Sequence, residues 1–308
     1  MKNNPIFISI IIIGYNSENS LKKCLSAISL QNIKCQNFEL IYVDDGSTDN
    51  SVEIFNDYSM ELPKKIIIHK NNIGRNHARN SGIKIAKGTW CFFTNSNIEL
   101  SQSALLNYYQ YCSTTNSIGV SGSIQYSCKD KTFETYLNNP SRGLVNFNNG
   151  DTIPPELFLF SNSCVKRHVF EDVGVFNKNL TGYGASELEM AYRIQNKFKN
   201  GFQFIADCNV IRLDHPCLKN HIKRIEEFGE NNLRILLSLM KISEYNILFK
   251  TSKMLFSYKT KWIIPIFTLI QNSNLILIKF LPDYFCRFFI KFVLGISLLK
   301  GASLNKNN

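Results

Sequence analysis

The sequence lacks three things at once: an apolar stretch free of polar interruption over the roughly twenty residues a membrane-spanning helix needs, any C-x-x-C pair, and any internal repeat or low-complexity tract. These absences argue against a processive synthase built on serial membrane spans, a zinc ribbon and a solenoid. The nine cysteines, Cys24, Cys35, Cys91, Cys112, Cys128, Cys164, Cys208, Cys217 and Cys286, are odd in number and scattered. That pattern suits free thiols in a reducing cytosol better than a disulfide framework. Acidic residues are scarce beside basic ones, 24 Asp and Glu against 35 Lys and Arg, which leaves a formal charge of +11. The excess suits an anionic partner. No DNA- or RNA-binding motif accompanies it, and much of it lies in the tail, so nucleic acid is not the expected partner. The N-terminus, MKNNPIFISIIIIGYN, has an apolar run but no small-residue cleavage site, and it reads as a strand rather than a signal peptide.

What is present is a chain of 308 residues, 44% of them hydrophobic, enough for a substantial core. Residues 8–13 (ISIIII) form a β-branched run followed by Gly-Tyr-Asn, the pattern of a parallel strand buried on both faces. Helical spacing of Leu21, Cys24, Leu25 and Ile28 follows, then a second apolar run at 38–43 that ends in acid residues. A helix at 51–58, a strand at 65–69, a helix at 75–86 and a strand at 89–94 continue the alternation. Strand, helix, strand in this order predicts an α/β fold with a mainly parallel, Rossmann-like sheet flanked by helices. Further strands are expected at 118–126 and 201–206 and a helix at 186–199, with a polar loop region over 138–152.

After Lys223 the composition changes, and apolar stretches at 262–281 and 284–299 alternate with Lys and Arg. This divides the chain into an α/β domain at 1–223 and a helical, basic and apolar C-terminal extension at 224–308. Pro265, Gln271, Asn272, Ser273, Asn274 and Lys279 interrupt the first stretch, and Arg287 and Lys291 stand among Phe285, Phe288, Phe289 and Phe292 in the second. Either a peripheral membrane-surface helix on the cytoplasmic leaflet or a helical lid packed on the first domain fits that pattern.

Ligands of open α/β sheets bind beyond the carboxyl ends of the strands. Those positions hold Gly14-Tyr15-Asn16, Asp44-Asp45-Gly46-Ser47-Thr48-Asp49 and Asn95-Ser96-Asn97. Adjacent carboxylates at a strand end accept hydrogen bonds from a ring imide and from ribose hydroxyls; the same Asp44 or Ser47 equally serves to cap the turn that follows.

The order IIIIGYN, IYVDDGSTDNS, NNIGRNHARNSGIKIAKGTWCFFTNSN, then SNSCVKR at 161–167 and GYGASELEMAYR at 182–193, resembles glycosyltransferase family 2 with its GT-A fold. The resemblance implies an inverting transferase that moves a sugar from a nucleotide diphosphate donor, a UDP-sugar or similar, to a glycan, lipid-linked or peptide acceptor. By that resemblance Tyr15 lines the base pocket, Asp44 contacts uracil, Asp45 lies near the ribose, and Arg79, Ser96 and Asn97 lie near the nucleotide sugar. The segment Ser186-Glu187 stands where the family has a Glu-Asp pair, which makes Glu187 the implied general base, one methylene longer than the Asp it replaces.

The family's D-x-D, which holds Mn²⁺ or Mg²⁺ on the diphosphate, is here Asn95-Ser96-Asn97. Amide oxygens ligate hard cations but bring no charge, so the implied metal site is weakened. Asn97 and His215 are its remaining candidate ligands, His215 in a place where some relatives complete the site. Lys166 and Arg167 fall in a segment that borders the acceptor pocket in relatives, or are solvated cations. Loss of both carboxylates also raises a second reading, a catalytically silent homologue that binds a nucleotide sugar or a partner protein.

Overall fold

The computed structural model describes residues 7–199, 201–239 and 264–304. Ile6, and Trp262 at the head of the first tail segment, lie outside the described residues. Residues up to Ser127, Pro140–Lys178 and Met190–Asp214 make one compact unit; Cys128–Asn139, Asn179–Glu189 and His215 onward make a second. Residue 223, after which the composition changes, lies inside a helix of the second unit, Leu218–Asn231.

The first unit is a mixed α/β structure whose expected alternation is present. Strands β1 (Ile8–Gly14), β2 (Phe38–Asp44), β3 (Lys64–Ile68) and β4 (Trp90–Asn95) pair in parallel in the order β3-β2-β1-β4. β1 and β2 are buried along their whole length, which is why their sequences are continuous rather than alternating apolar runs. Helices α1 (Glu18–Ser29), α2 (Ser51–Asp57) and α3 (Arg75–Ile85) make the crossovers. One face of the sheet packs Ile10, Ile12, Leu40, Tyr42 and Phe92 with Leu21, Leu25 and Ile28 of α1; the other packs Ile11, Ile13, Val43 and Phe93 with Ala78 and Ile83 of α3.

The rest departs from the simple alternation. β5 (Ile98–Leu100), α4 (Ala104–Thr114), β6 (Gly119–Ser121), β7 (Ile124–Cys128), α5 (Lys131–Leu137) and β8 (Thr152–Ile153) follow β4. Then come β9 (Asn162–Lys166), α6 (Val169–Val173), α7 (Ser186–Lys197), β10 (Phe202–Phe204) and β11 (Val210–His215). The large sheet continues as β4-β9-β6-β10-β8, with β9 antiparallel to both neighbours, and β5, β11 and β7 form a separate three-stranded sheet. The single strand expected at 118–126 is therefore two strands in two sheets. The break is held by side chains: the Gly122 N–H donates to Tyr108 Oη at 2.8 Å, and Asn162 Nδ2 donates to the carbonyl of Ser123 at 2.9 Å.

The second unit is helical: α5, the first turn of α7, α8 (Leu218–Asn231), α9 (Leu233–Leu239), α10 (Ile264–Ile278) and α11 (Asp283–Leu304). α11 packs lengthwise on α8. The approach is close because Gly301 lies against the backbone of Glu226 and Gly229 against Leu298, where a β-carbon would meet carbonyl oxygen at 2.1 and 2.5 Å. Among the described residues no helix is long and apolar enough to cross a membrane.

Candidate functional site

In the first unit the loops after β1, β2 and β4 are sewn together at the carboxyl edge of the sheet. Asn16 takes a left-handed backbone, φ 48°, and its N–H donates to Ser47 Oγ at 2.9 Å while its Oδ1 accepts from the Thr48 N–H at 2.9 Å. Ser17 binds on two sides, its N–H to Ser51 Oγ at 2.7 Å and its Oγ to Ser96 Oγ at 2.6 Å. Asp49 accepts from the Glu18 N–H at 3.0 Å. Small polar residues directly after apolar strand runs are the signal for these contacts.

Asp44 and Asp45 are both buried. Asp44 accepts from Tyr42 Oη (3.2 Å), Ser47 Oγ (2.6 Å) and the Ser47 N–H (2.8 Å). Burial, then the charge of Asp44, pushes the Tyr42 phenol upward, so Tyr42 stays a donor. Asp45 accepts from the N–H groups of Ile73 and Gly74 at 3.2 and 2.8 Å, and its Oδ1 stands 2.8 Å from His69 Nδ1. A carboxylate has about four acceptor positions, so each aspartate keeps roughly one, on Oδ2. Gly46, between them and the next helix, has φ +77° and packs on the Asn71 backbone, where a β-carbon would meet it at 2.4 Å. Beside this closed polar network the Tyr15 ring is 47% exposed.

Other expected residues are placed differently. Arg79 is buried, its guanidinium 5.2 Å over the Phe176 ring and Nη2 donating to the Phe160 carbonyl at 3.2 Å. Lys166 and Arg167 stand at the opposite edge of the sheet from Asn95, because β9 runs antiparallel to β4 with Lys166 beside Trp90. There Lys166 lies 5.3 Å over the Trp90 ring and Arg167 pairs with Glu171 at 2.7 Å.

Ser96 is buried between β1 and α1 contacts, its N–H donating to the Ile13 carbonyl at 3.0 Å. Asn97 donates through Nδ2 to the Leu213 carbonyl at 3.1 Å and accepts the Leu213 N–H at 2.8 Å through its backbone. The Asn95 amide oxygen is buried without a hydrogen-bond partner. Asn95 and Asn97 offer a divalent cation neutral amide oxygens in place of carboxylates, and among the described residues no three His, Cys, Asp or Glu are grouped to hold one. The residues present do not make a divalent-cation site by themselves.

The second unit carries Glu187 and His215. Glu187 is half-buried in the first turn of α7, where the helix dipole favours a carboxylate. The loop before it is held against α8. The Tyr183 ring lies 5.9 Å from His221 and 5.6 Å from the Arg224 guanidinium, and Asn232 Nδ2 donates to the carbonyls of Thr181 and Tyr183 at 2.6 and 3.0 Å. Gly182, Gly184 and Ala185 all have positive φ, 71°, 75° and 64°. A β-carbon on Gly182 would meet Glu227 and one on Gly184 would meet Phe228. Among the described residues, the non-glycine residues with positive φ are Asn16, Ala185 and Asp214, each one or two residues from a candidate position: Tyr15, Glu187 and His215. The buried His215 packs against Phe133 (5.8 Å) and His221 (5.4 Å), and its Nδ1 lies 3.0 Å from the Pro216 carbonyl, which makes Nε2 the acceptor nitrogen of the neutral ring. Arg224 and Asn232, which hold this loop at Tyr183, carry no local sequence signal because they lie over forty positions from it along the chain.

Comparison with known proteins places this geometry. The family described as Glycosyl transferase family 2 matches residues 9–174, more than half of the chain. The Poly(ribitol-phosphate) beta-glucosyltransferase of Bacillus spizizenii is 37% identical over 112 residues, 36% of this chain and 18% of that protein, so the matched segment is a small part of the relative's length. Among solved structures, S. aureus TarS 1-349 in complex with UDP-GlcNAc superposes with a TM-score of 0.58 at 14% identity over 97% of this chain and 90% of that one. The mannosyltransferase PcManGT from Pyrobaculum calidifontis in complex with GDP-Man and Mn²⁺ gives 0.61 at 14% identity over 96% and 86%. At that identity the likeness speaks for a shared fold.

Proposed function

The chain belongs to glycosyltransferase family 2, and on that premise we propose that it transfers a sugar, with inversion, from a UDP-sugar to a hydroxyl of a glycan, lipid-linked or peptide acceptor. The observation that carries the reading is the sewn carboxyl edge of β1, β2 and β4: buried Asp44 and Asp45, each keeping an acceptor position, beside the exposed ring of Tyr15. Tyr15 supplies a face for the base to stack on, Asp44 and Asp45 supply acceptors for an imide N–H and ribose hydroxyls, and Ser96 and Asn97 form the wall nearest the sugar. Arg79 acts from beneath, as a buried cation that braces the Phe160 segment.

Glu187 is the base in this reading. Its carboxylate takes the proton of the acceptor hydroxyl as that oxygen bonds to the anomeric carbon from the face opposite the diphosphate. The bond from the anomeric carbon to the diphosphate oxygen breaks, and UDP leaves with the electron pair. Asn95 and Asn97 bring no charge to the leaving group, so any Mn²⁺ or Mg²⁺ depends on the donor's own phosphates for most of its hold.

The two amides also favour a second reading, nucleotide-sugar binding without transfer. UDP release from a panel of UDP-sugars, with Mn²⁺ and with EDTA, separates the two. The expected result is turnover that EDTA lowers by less than about tenfold, since neutral ligands add little to cation affinity. Binding of UDP with no turnover in either condition would leave the silent homologue standing. Absence of UDP binding would sink both.

A further inference from the structure

The hairpin of α10 and α11 has two unlike sides. Inward, Phe267, Gln271 and Asn274 of α10 and Cys286, Ile290, Val293 and Ser297 of α11 are buried. A polar clasp fixes this side: Glu226 of α8 pairs with Lys300 at 3.1 Å and accepts from Gln271 Nε2 at 2.9 Å, and Gln271 also donates to Ser297 Oγ at 2.8 Å. Outward, Ile266, Leu269, Ile276 and Leu277 make an exposed apolar stripe on α10 at helical spacing. On α11 the exposed residues Tyr284, Phe288 and Phe292 stand four apart, on one face, with Phe285 beside them.

The two most exposed of these side chains are at the turn between the helices, Phe280 at 80% and Tyr284 at 78%, with Leu269 and Phe288 each at 68%. The rings touch one another rather than the core: Tyr284 lies 5.5 Å from Phe285, and Phe288 lies 6.4 Å from Phe292 with the planes 7° apart. One large exposed apolar side chain is ordinary, but a contiguous row marks an interaction surface. Its charges name the partner. From 276 to 292 the cations are Lys279, Arg287 and Lys291 against the single acid Asp283, and Lys279 and Lys291 are exposed. Aromatic rings interleaved with cations match the boundary between acyl chains and acidic headgroups. Neither helix is apolar and long enough to span, and the clasp keeps the inward side on α8, so contact is along the outer side only.

We propose that the turn end of this hairpin is a docking surface for an anionic lipid bilayer. Phe280, Tyr284, Phe285 and Phe288 enter the headgroup boundary, and the exposed Lys279 and Lys291 meet lipid phosphates and acidic headgroups. The inference is independent of sugar transfer.

The test is co-sedimentation of the full chain with vesicles of phosphatidylcholine alone and of phosphatidylcholine with phosphatidylglycerol. Partition onto the anionic vesicles is expected to be at least about tenfold stronger than onto the neutral ones, and Phe280→Ser with Phe288→Ser to weaken it by about tenfold or more. Lys279→Glu with Lys291→Glu should abolish the preference for anionic lipid while leaving the circular dichroism melt unchanged. Equal partition of the unmodified chain and the Phe280, Phe288 variant would overturn the proposal. So would an absence of vesicle binding together with self-association that the same two substitutions abolish, which would make the row a contact between copies of this chain.

Discussion

The two units hold their candidate functional groups in opposite ways. The first fixes its strand-end loops with short polar links between neighbouring turns, Asn16 to Ser47 and Thr48, Ser17 to Ser51 and Ser96, and spends its carboxylates on that framework. The second fixes the loop of Glu187 by packing Tyr183 and two glycines on α8 and by holding Ala185 at a left-handed φ. Rigidity in one comes from hydrogen bonds between neighbouring turns, in the other from close packing and backbone geometry, with Asn232 donating across from the end of α8 to two carbonyls of the loop. Donor recognition and proton transfer, if divided between these regions, should respond to separate substitutions.

The hardest test of that division is Glu187→Gln. Loss of a general base costs roughly 10²–10⁴ in rate. Transfer should fall by at least about a hundredfold while the Kd for UDP, read by calorimetry, stays within a factor of two or so. Unaltered turnover would remove Glu187 from the chemistry. The converse variant is Tyr15→Ala. Stacking on an aromatic ring is worth about 1–3 kcal/mol, so the Kd for UDP should rise roughly fivefold to 150-fold. A Tyr15→Phe control keeps the face and should bind normally. Unchanged UDP binding in Tyr15→Ala would show that the exposed ring is not the base platform.

A smaller effect sharpens the comparison from the far edge of the first sheet. Buried Glu39 accepts from Ser9 Oγ at 2.6 Å, the Lys87 N–H at 2.7 Å and Lys65 Nζ at 2.7 Å. Burial alone would raise its pKa, but the bonds from Lys65, Ser9 and Lys87 together with the Lys65 charge outweigh it and hold the carboxyl below 4.5. A depressed folded-state pKa contributes stability above the unfolded value that is lost as pH falls through the folded one. Glu39→Gln should therefore cost about 1–3 kcal/mol at neutral pH in urea denaturation. The gap should narrow as pH drops below 4.5 and close at lower pH, with UDP affinity at pH 7 unaffected. A gap that widens in acid would contradict the assignment.

These differences also explain what could be read from the chain. The β1-to-β4 half was legible because β1, β2 and β4 are buried apolar runs and the helices between the strands keep their spacing, so local pattern and final structure agree. β9 was not, since Asn162, Ser163 and Lys166 look like loop residues; Asn162 is placed in the sheet by side-chain bonds to Ser123 and Cys208, thirty-nine and forty-six positions away. Arg79 could be named from the motif, but its burial against Phe176 and its bond to the Phe160 carbonyl could not, because that segment lies some eighty positions further along the chain. The strand-end residues of the cradle could be named from motif order, but their hydrogen-bond partners could not. The support of Glu187 by α8 is a contact between stretches of chain that no local pattern links.

The smallest expected effect is the most informative about how the second unit holds its loop. Ala185, φ 64°, is buried and sits two residues before Glu187. A left-handed conformation costs a non-glycine residue roughly 1–2 kcal/mol, which Ala185→Gly relieves. Against that stand about 0.8 kcal/mol for the lost buried methyl group and about 0.5–1 kcal/mol for the added backbone freedom of the unfolded chain. The terms nearly cancel, so the urea midpoint should move by less than about 1 kcal/mol in either direction. Catalysis should not be neutral: a glycine loosens the lead into α7, and kcat is expected to fall severalfold with UDP affinity unchanged. A stability loss above about 2 kcal/mol would mean that the methyl contact, not the backbone geometry, holds the loop. Full kcat with unchanged stability would mean that the geometry at Ala185 is incidental, and that packing of Tyr183 on α8 alone sets the position of Glu187.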